Sequence, residues 1–140
     1  MKTSTFLIAL LSGLLCSQSF ADIAVIVNRS NPVDIAGMEE IGAIFLKQNR
    51  QMGGEVVAPY ELTESSDIHN IFHKNTTKKN LQQLNSYWAK KLFRGKGVRP
   101  VSLRNDRMMI KIIASHPNAI GYIDADSVDD RVKVIALIIN

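Results

Sequence analysis

Cysteine is almost missing from this sequence: Cys16 is the only one in 140 residues, and it sits in the leading segment. Residues 22–140 therefore have no disulfide, thiolate metal site or cysteine nucleophile, and their stability must come from packing. Catalytic signatures are lacking too. There is no nucleophile elbow, no glycine loop of the phosphate-cradling kind and no His-Glu-x-x-His segment, and spacing places no carboxylate pair around a cleft. An enzymatic reading has no positive support and no cofactor is implied. What remains is a binding or interaction module.

The apolar run from Phe6 to Leu15 is too short to cross a bilayer. It follows Lys2 and leads to Ser19-Phe20-Ala21, with small residues at the two positions a signal peptidase inspects. Residues 1–21 are accordingly expected to be a signal peptide, cleaved before Asp22, with residues 22–140 forming one periplasmic domain. Leu15 is bulky where a lipobox needs a small residue, which argues against lipidation at Cys16.

A strong charge of one sign is also lacking. The formal net charge is +4, and Lys2 in the leading segment contributes one unit of it. Basic residues cluster between Lys74 and Arg107, but no stacking aromatics interleave with them and no nucleic-acid motif accompanies them. They read as a solvated face, and no nucleic-acid partner is expected.

What is present alternates between strand and helix. Asp22 to Asn28 is a β-branched run closed by the turn formers Asn28-Arg-Ser-Asn-Pro32. Met38, Ile41, Ile44 and Phe45 recur at helical steps, with Glu39 and Glu40 in the first turn and Gly37 as a weak cap. Gln48 to Gly54 reads as a turn and Glu55 to Tyr60 as a strand, followed by a polar turn and a helix beginning near Ser66. A longer helix starts at Asn80 with Gln83 three residues on, as in a capping box. It carries the stripe Leu81, Leu84, Trp88 and Leu92 and ends at Gly95. Val101 to Leu103 is a short strand. Asn105 caps a helix carrying Met109, Ile112 and Ile113 that Pro117 stops, and Ala119–Ile123 and Val132–Ile139 are strands on either side of an acidic turn. Such alternation, without internal repeats, gives an α/β fold.

Ser65, Ser66 and Asp67 stand where that second helix starts. Their oxygens can accept from its free N–H groups, and the same N–H groups can hold an anion. Cap and anion site look alike in sequence. His69 and His73, four apart, have a metal-compatible spacing, but no third ligand is fixed by spacing. Because they flank the stripe of Ile68, Ile71 and Phe72, they are expected at exposed positions, and no metal is expected. Asp124, Asp126, Asp129 and Asp130 lack the glycine and closing glutamate of a calcium loop and read as a polar turn.

Ala24 to Asn31, Ile44-Phe45-Leu46-Lys47, Ser66 to Phe72, Tyr87-Trp88, Phe93-Arg-Gly-Lys-Gly97, Pro100 and Pro117-Asn-Ala-Ile-Gly-Tyr122 follow one another in order. In this the chain resembles the phosphate-binding proteins of ABC transporters. The resemblance implies a periplasmic-binding-protein type II-like single lobe, a mixed sheet flanked by helices, similar to the second of that family's two lobes. It also implies phosphate or another small anion as ligand, held in the family by a Ser-Gly-Thr segment that an Arg and an acidic residue precede. Ser66 matches the Ser, with Ser65 beside it. Asp67 stands in place of the Gly, Ile68 of the Thr and Leu62 of the Arg. Since Glu61, Glu64 and Asp67 crowd negative charge there, weak or lost ligand binding in a solute-binding-type domain is expected. The other expectation is an envelope interaction protein that contacts a second copy or another partner.

Overall fold

Every residue of β1 (Ile23–Asn28) is buried, because the strand lies inside a sheet and pairs on both edges. It runs antiparallel to β6 (Ala119–Asp124) on one side and to β7 (Val132–Ile138) on the other, with a register shift between Val25 and Ile26 on the β7 side. The computed structural model describes residues 21–140. The expected signal peptide, except for Ala21, lies outside the described residues.

Between β1 and the rest of the sheet come α1 (Met38–Phe45) and a hairpin of β2 (Gln51–Met52) and β3 (Glu55–Val56). Gly53 and Gly54 turn this hairpin with φ of 60° and 82°, the left-handed conformation that a tight two-residue turn demands. The expected single strand Glu55–Tyr60 is therefore corrected. Its first two residues belong to the hairpin, and the sheet strand is β4 (Ala58–Leu62), which runs two residues further. Pro59 removes one N–H donor but is tolerated near the strand's start, where β4 pairs with β6 only through Ala58 and Pro59.

The chain continues as α2 (Asp67–Asn75), α3 (Leu81–Phe93), β5 (Val101–Leu103) and α4 (Asp106–Ser115) before re-entering the sheet as β6. The sheet order is β5-β4-β6-β1-β7. β4 is parallel to both β5 and β6, while β1 is antiparallel to its neighbours, so the expected mixed sheet flanked by helices is what forms. Helices cross between the parallel strands because such strands cannot be joined by a tight hairpin.

Local signals explain the helix ends. The Asn80 side chain accepts from the Gln83 N–H while the Gln83 side chain accepts from the Asn80 N–H, a complete capping box. Asn105 caps α4 by accepting from the Met108 N–H. Gly95 follows α3 at φ 67°. The expected α3 stripe holds at Leu84 and Trp88, which are buried, but Leu92 is 63% exposed and Leu81 half-buried, so the buried stripe is short. Polar contacts extend the docking of α3. The Tyr87 hydroxyl donates to the Leu46 carbonyl at 2.6 Å, and Lys91 Nζ donates to the carbonyls of Leu46 and Lys47, supplying a cation at the C-terminus of α1.

Candidate functional site

The C-terminal end of β4 is the edge that α2 leaves, and in sheets with parallel strands ligands gather at such edges. Ser66 is the N-cap of α2, as expected from position, but its side chain makes no capping hydrogen bond. Its backbone N–H donates to the Thr63 carbonyl at 2.9 Å. Ser65 Oγ lies 3.2 Å from Thr63 Oγ1, and Ser65 and Asp67 are exposed. These three residues stand together at the helix start because they are neighbours in sequence. A cavity of about 290 Å³ lies at the same end of β4 and is lined by Glu61, Thr63, Glu64, His69, Arg99 and Ser102 among others, with none of the three in its wall.

Below this edge lies a cluster that sequence reasoning missed. Glu61 sits on β4 rather than in the polar turn, and it is 3% exposed. His69 and His73, expected on the surface, are each 1% exposed. The correction has a specific cause. Phe72 stacks on Tyr122 of β6 with ring centroids 3.8 Å apart and 9° between planes, and it meets Phe45 of α1 edge-on. This fixes α2 with the face of His69 and His73 turned inward; Ile68 and Ile71 remain only half-buried.

His73 Nε2 lies 2.7 Å from Glu61 Oε1, and His69 Nε2 lies 3.8 Å from Oε2. His73 Nδ1 is 3.0 Å from Thr77 Oγ1, and His69 Nδ1 is 3.3 Å from Asn70 Oδ1. Burial works to raise the Glu61 carboxyl, but the two imidazoles outweigh it and hold the group below the ordinary glutamate range. For His73, burial dominates over the attraction of Glu61 and lowers its pKa. Both directions describe an ionised carboxylate that accepts from a neutral imidazole Nε2–H. Tyr122 closes the cluster from the sheet side: its oxygen accepts from the Leu62 N–H at 3.2 Å, and burial pushes its phenol well above the usual tyrosine value.

One carboxylate and two imidazoles, with ligand atoms all within 4.8 Å of one another, have the composition of a metal-binding set. The helical spacing of the two histidines was the signal in the sequence. The missing third ligand was Glu61, hidden because the strand was expected to stop at Tyr60. The aspartates at and after the end of β6 behave as a polar turn: Asp124, the last residue of β6, accepts from the Asp126 N–H, and Asp129 pairs with Arg131.

No protein-family model and no curated protein sequence matches this chain. Solved structures do. An ABC-type phosphate transport receptor from Vibrio cholerae superposes with a TM-score of 0.65 at 22% identity, over 84% of this chain and 47% of that one. A protein from Clostridium perfringens, assigned as a phosphate ABC transporter substrate-binding protein and carrying bound phosphate, gives 0.67 at 18% identity over 84% and 46%. PstS from Borrelia burgdorferi gives 0.58 at 17% identity over 84% and 48%. The fold is thus that of a periplasmic-binding-protein-like lobe, and the chain spans less than half the length of each of these three proteins. The first two are named as a transport receptor and a substrate-binding protein.

Proposed function

We propose that this chain is an exported, non-enzymatic solute-binding lobe that meets phosphate or a similar small anion at the start of α2 and holds it weakly. The observation that carries this reading is the uncommitted Ser66 side chain at the helix N-cap, in a fold that phosphate receptors share. A hydroxyl that does not cap the helix is available to a ligand, and the first-turn N–H groups add the positive end of the helix dipole. Weakness follows from two features. Glu64 and Asp67 bring negative charge to an anion's position, and Glu61 sits ionised beneath it. A single lobe also leaves its ligand open to water, whereas small-ligand sites usually bury about 70–90% of the ligand surface.

The test is titration calorimetry with inorganic phosphate at low salt on protein beginning at Asp22, with molecular mass measured in parallel. Ser66→Ala should weaken binding by removing a donor, and Asp67→Asn should strengthen it by relieving repulsion. Tight binding by a monomer that ignores both substitutions rejects the site. Export is tested separately: protein recovered from periplasmic extract should begin at Asp22.

A second reading, an envelope interaction module, is favoured by apolar side chains left in water from the last residue of α3 to β5. Phe93 is 94% exposed, and Val98 and Val101 are each 59% exposed, the last on the sheet-edge strand β5. Concentration-dependent self-association without phosphate binding selects this reading. A gene neighbour encoding a phosphate permease favours the first.

A further inference from the structure

We propose that Glu61, His69 and His73 form a binding site for a divalent transition-metal ion of the zinc type, with a fourth position open to the cavity at the end of β4. The inference is independent of the anion reading, because it uses none of Ser65, Ser66 or Asp67.

Hydrogen bonding accounts for only half of the cluster. His73 Nε2 and Glu61 Oε1, 2.7 Å apart, satisfy each other. The other half is different. Asn70 Oδ1 lies 3.3 Å from His69 Nδ1. Nε2 of His69 stands 3.8 Å from Oε2 of Glu61, too far for a hydrogen bond. An imidazole nitrogen and a carboxylate oxygen at that separation leave room for a cation that both can ligate. Glu61 and His69 both line the cavity of about 290 Å³, which gives an ion a way in and room for water or an anion as a further ligand.

Binding requires the three ligand atoms to draw together around the ion. Zinc–nitrogen and zinc–oxygen bonds of about 2.0–2.1 Å set tetrahedral ligand atoms about 3.3 Å apart. The separations of 2.7 Å and 3.8 Å, to different oxygens of Glu61, lie on either side of that value, and one ligand atom from each residue can be chosen with all three within 4.8 Å. His69 and His73 share one helix face, and Glu61 comes from the adjoining strand, so the set is held by two packed elements. Outer partners are also in place. When an ion takes Nε2 of His73, that ring's proton moves to Nδ1, where Thr77 Oγ1 at 3.0 Å can accept it. No net proton is gained or lost by the ring. Two neutral imidazoles and a carboxylate, with no thiolate, suit zinc, cobalt or nickel better than magnesium or calcium. Arg99 lines the same cavity and favours an anion such as hydroxide over a second cation at the open position.

The experiment uses protein without an affinity tag, beginning at Asp22, stripped with chelator and titrated with Co²⁺ and then Zn²⁺ in phosphate-free buffer. One equivalent of Co²⁺ should bind with the intense visible absorption of a four-coordinate site, and Zn²⁺ should displace it. His69→Gln should weaken binding about tenfold or more while circular dichroism shows the fold retained, since His69 makes one polar contact besides Glu61. His116→Gln, altering the remaining histidine, should change nothing. X-ray absorption of the zinc-loaded wild type adds a reading that needs no variant: two imidazoles in the coordination shell are expected. Absence of a one-to-one complex, a shell with fewer than two imidazoles, or affinity unchanged in His69→Gln would each overturn the proposal. In that event the cluster holds a proton and no metal.

Discussion

Phe72 of α2 and Tyr122 of β6, fifty residues apart, lie ring on ring at 3.8 Å, and this stack fixes which side of α2 is inside. The helix could present its stripe in more than one way. With Phe72 pinned between Tyr122 and Phe45, His73 is carried to Glu61 on the neighbouring strand. The Tyr122 oxygen then takes the Leu62 N–H, so one side chain orders both the helix and the strand that supply the polar cluster.

Phe72→Ala should cost about 3–5 kcal/mol, the range for emptying a buried aromatic site. Tyr122→Phe, which keeps the ring but leaves the Leu62 N–H without its partner, should cost about 1–3 kcal/mol. Urea denaturation of both variants checks the order. Equal losses would mean that emptying the Phe72 site costs no more than losing the single hydrogen bond to the Leu62 N–H.

Trp88 is 4% exposed and meets Tyr87 edge-on, with ring centroids 5.0 Å apart. Trp88→Ala should also cost about 3–5 kcal/mol. A denaturation midpoint within error of wild type would place the ring on the surface and move the phase of α3.

The capping box at Asn80 is exposed, so its effect is separable from the core. Asn80→Ala should lower stability by about 1 kcal/mol, and Asn80→Ser should recover most of the loss. Thermal unfolding followed at 222 nm on the three proteins checks this.

Gly42 is a helix-interior glycine, a place where alanine ordinarily stabilises by about 1 kcal/mol. Here the added Cβ would stand 2.5 Å from the Thr76 carbonyl oxygen. Gly42→Ala should therefore destabilise, by about 1–3 kcal/mol, as overpacking against backbone does. A raised melting temperature would mean that the end of α2 can retreat from α1.

Some features were readable because their causes are local. Asn80, Gln83 and Asn105 cap helices through atoms within three residues, so spacing alone revealed them. The alternation of β-branched runs with helical periods gave the α/β class, and the ordered motifs from Ala24 to Tyr122 pointed to the binding-protein lobe whose fold is observed. Other readings failed where two segments compete. Glu55 and Val56 have strand character, but the Gly53-Gly54 turn claims them for a hairpin with Gln51 and Met52, and β4 shifts toward Leu62. Leu92 has the right period for the α3 stripe, yet it is left exposed, with no element among the described residues packed over that last turn.

The polar cluster divides the same way. The sequence by itself determined that His69 and His73 share a helix face, because 3.6 residues per turn brings residues four apart into line. It also determined that Ser66 stands at a helix start. Only tertiary structure decided that the histidine face is buried and that a carboxylate eight residues before His69 meets it. Burial depends on where Phe72 finds its aromatic partners, and those come from α1 and β6, elements distant along the chain. Periodicity orients a helix about its own axis, whereas the choice of which face turns inward belongs to the surface it packs against.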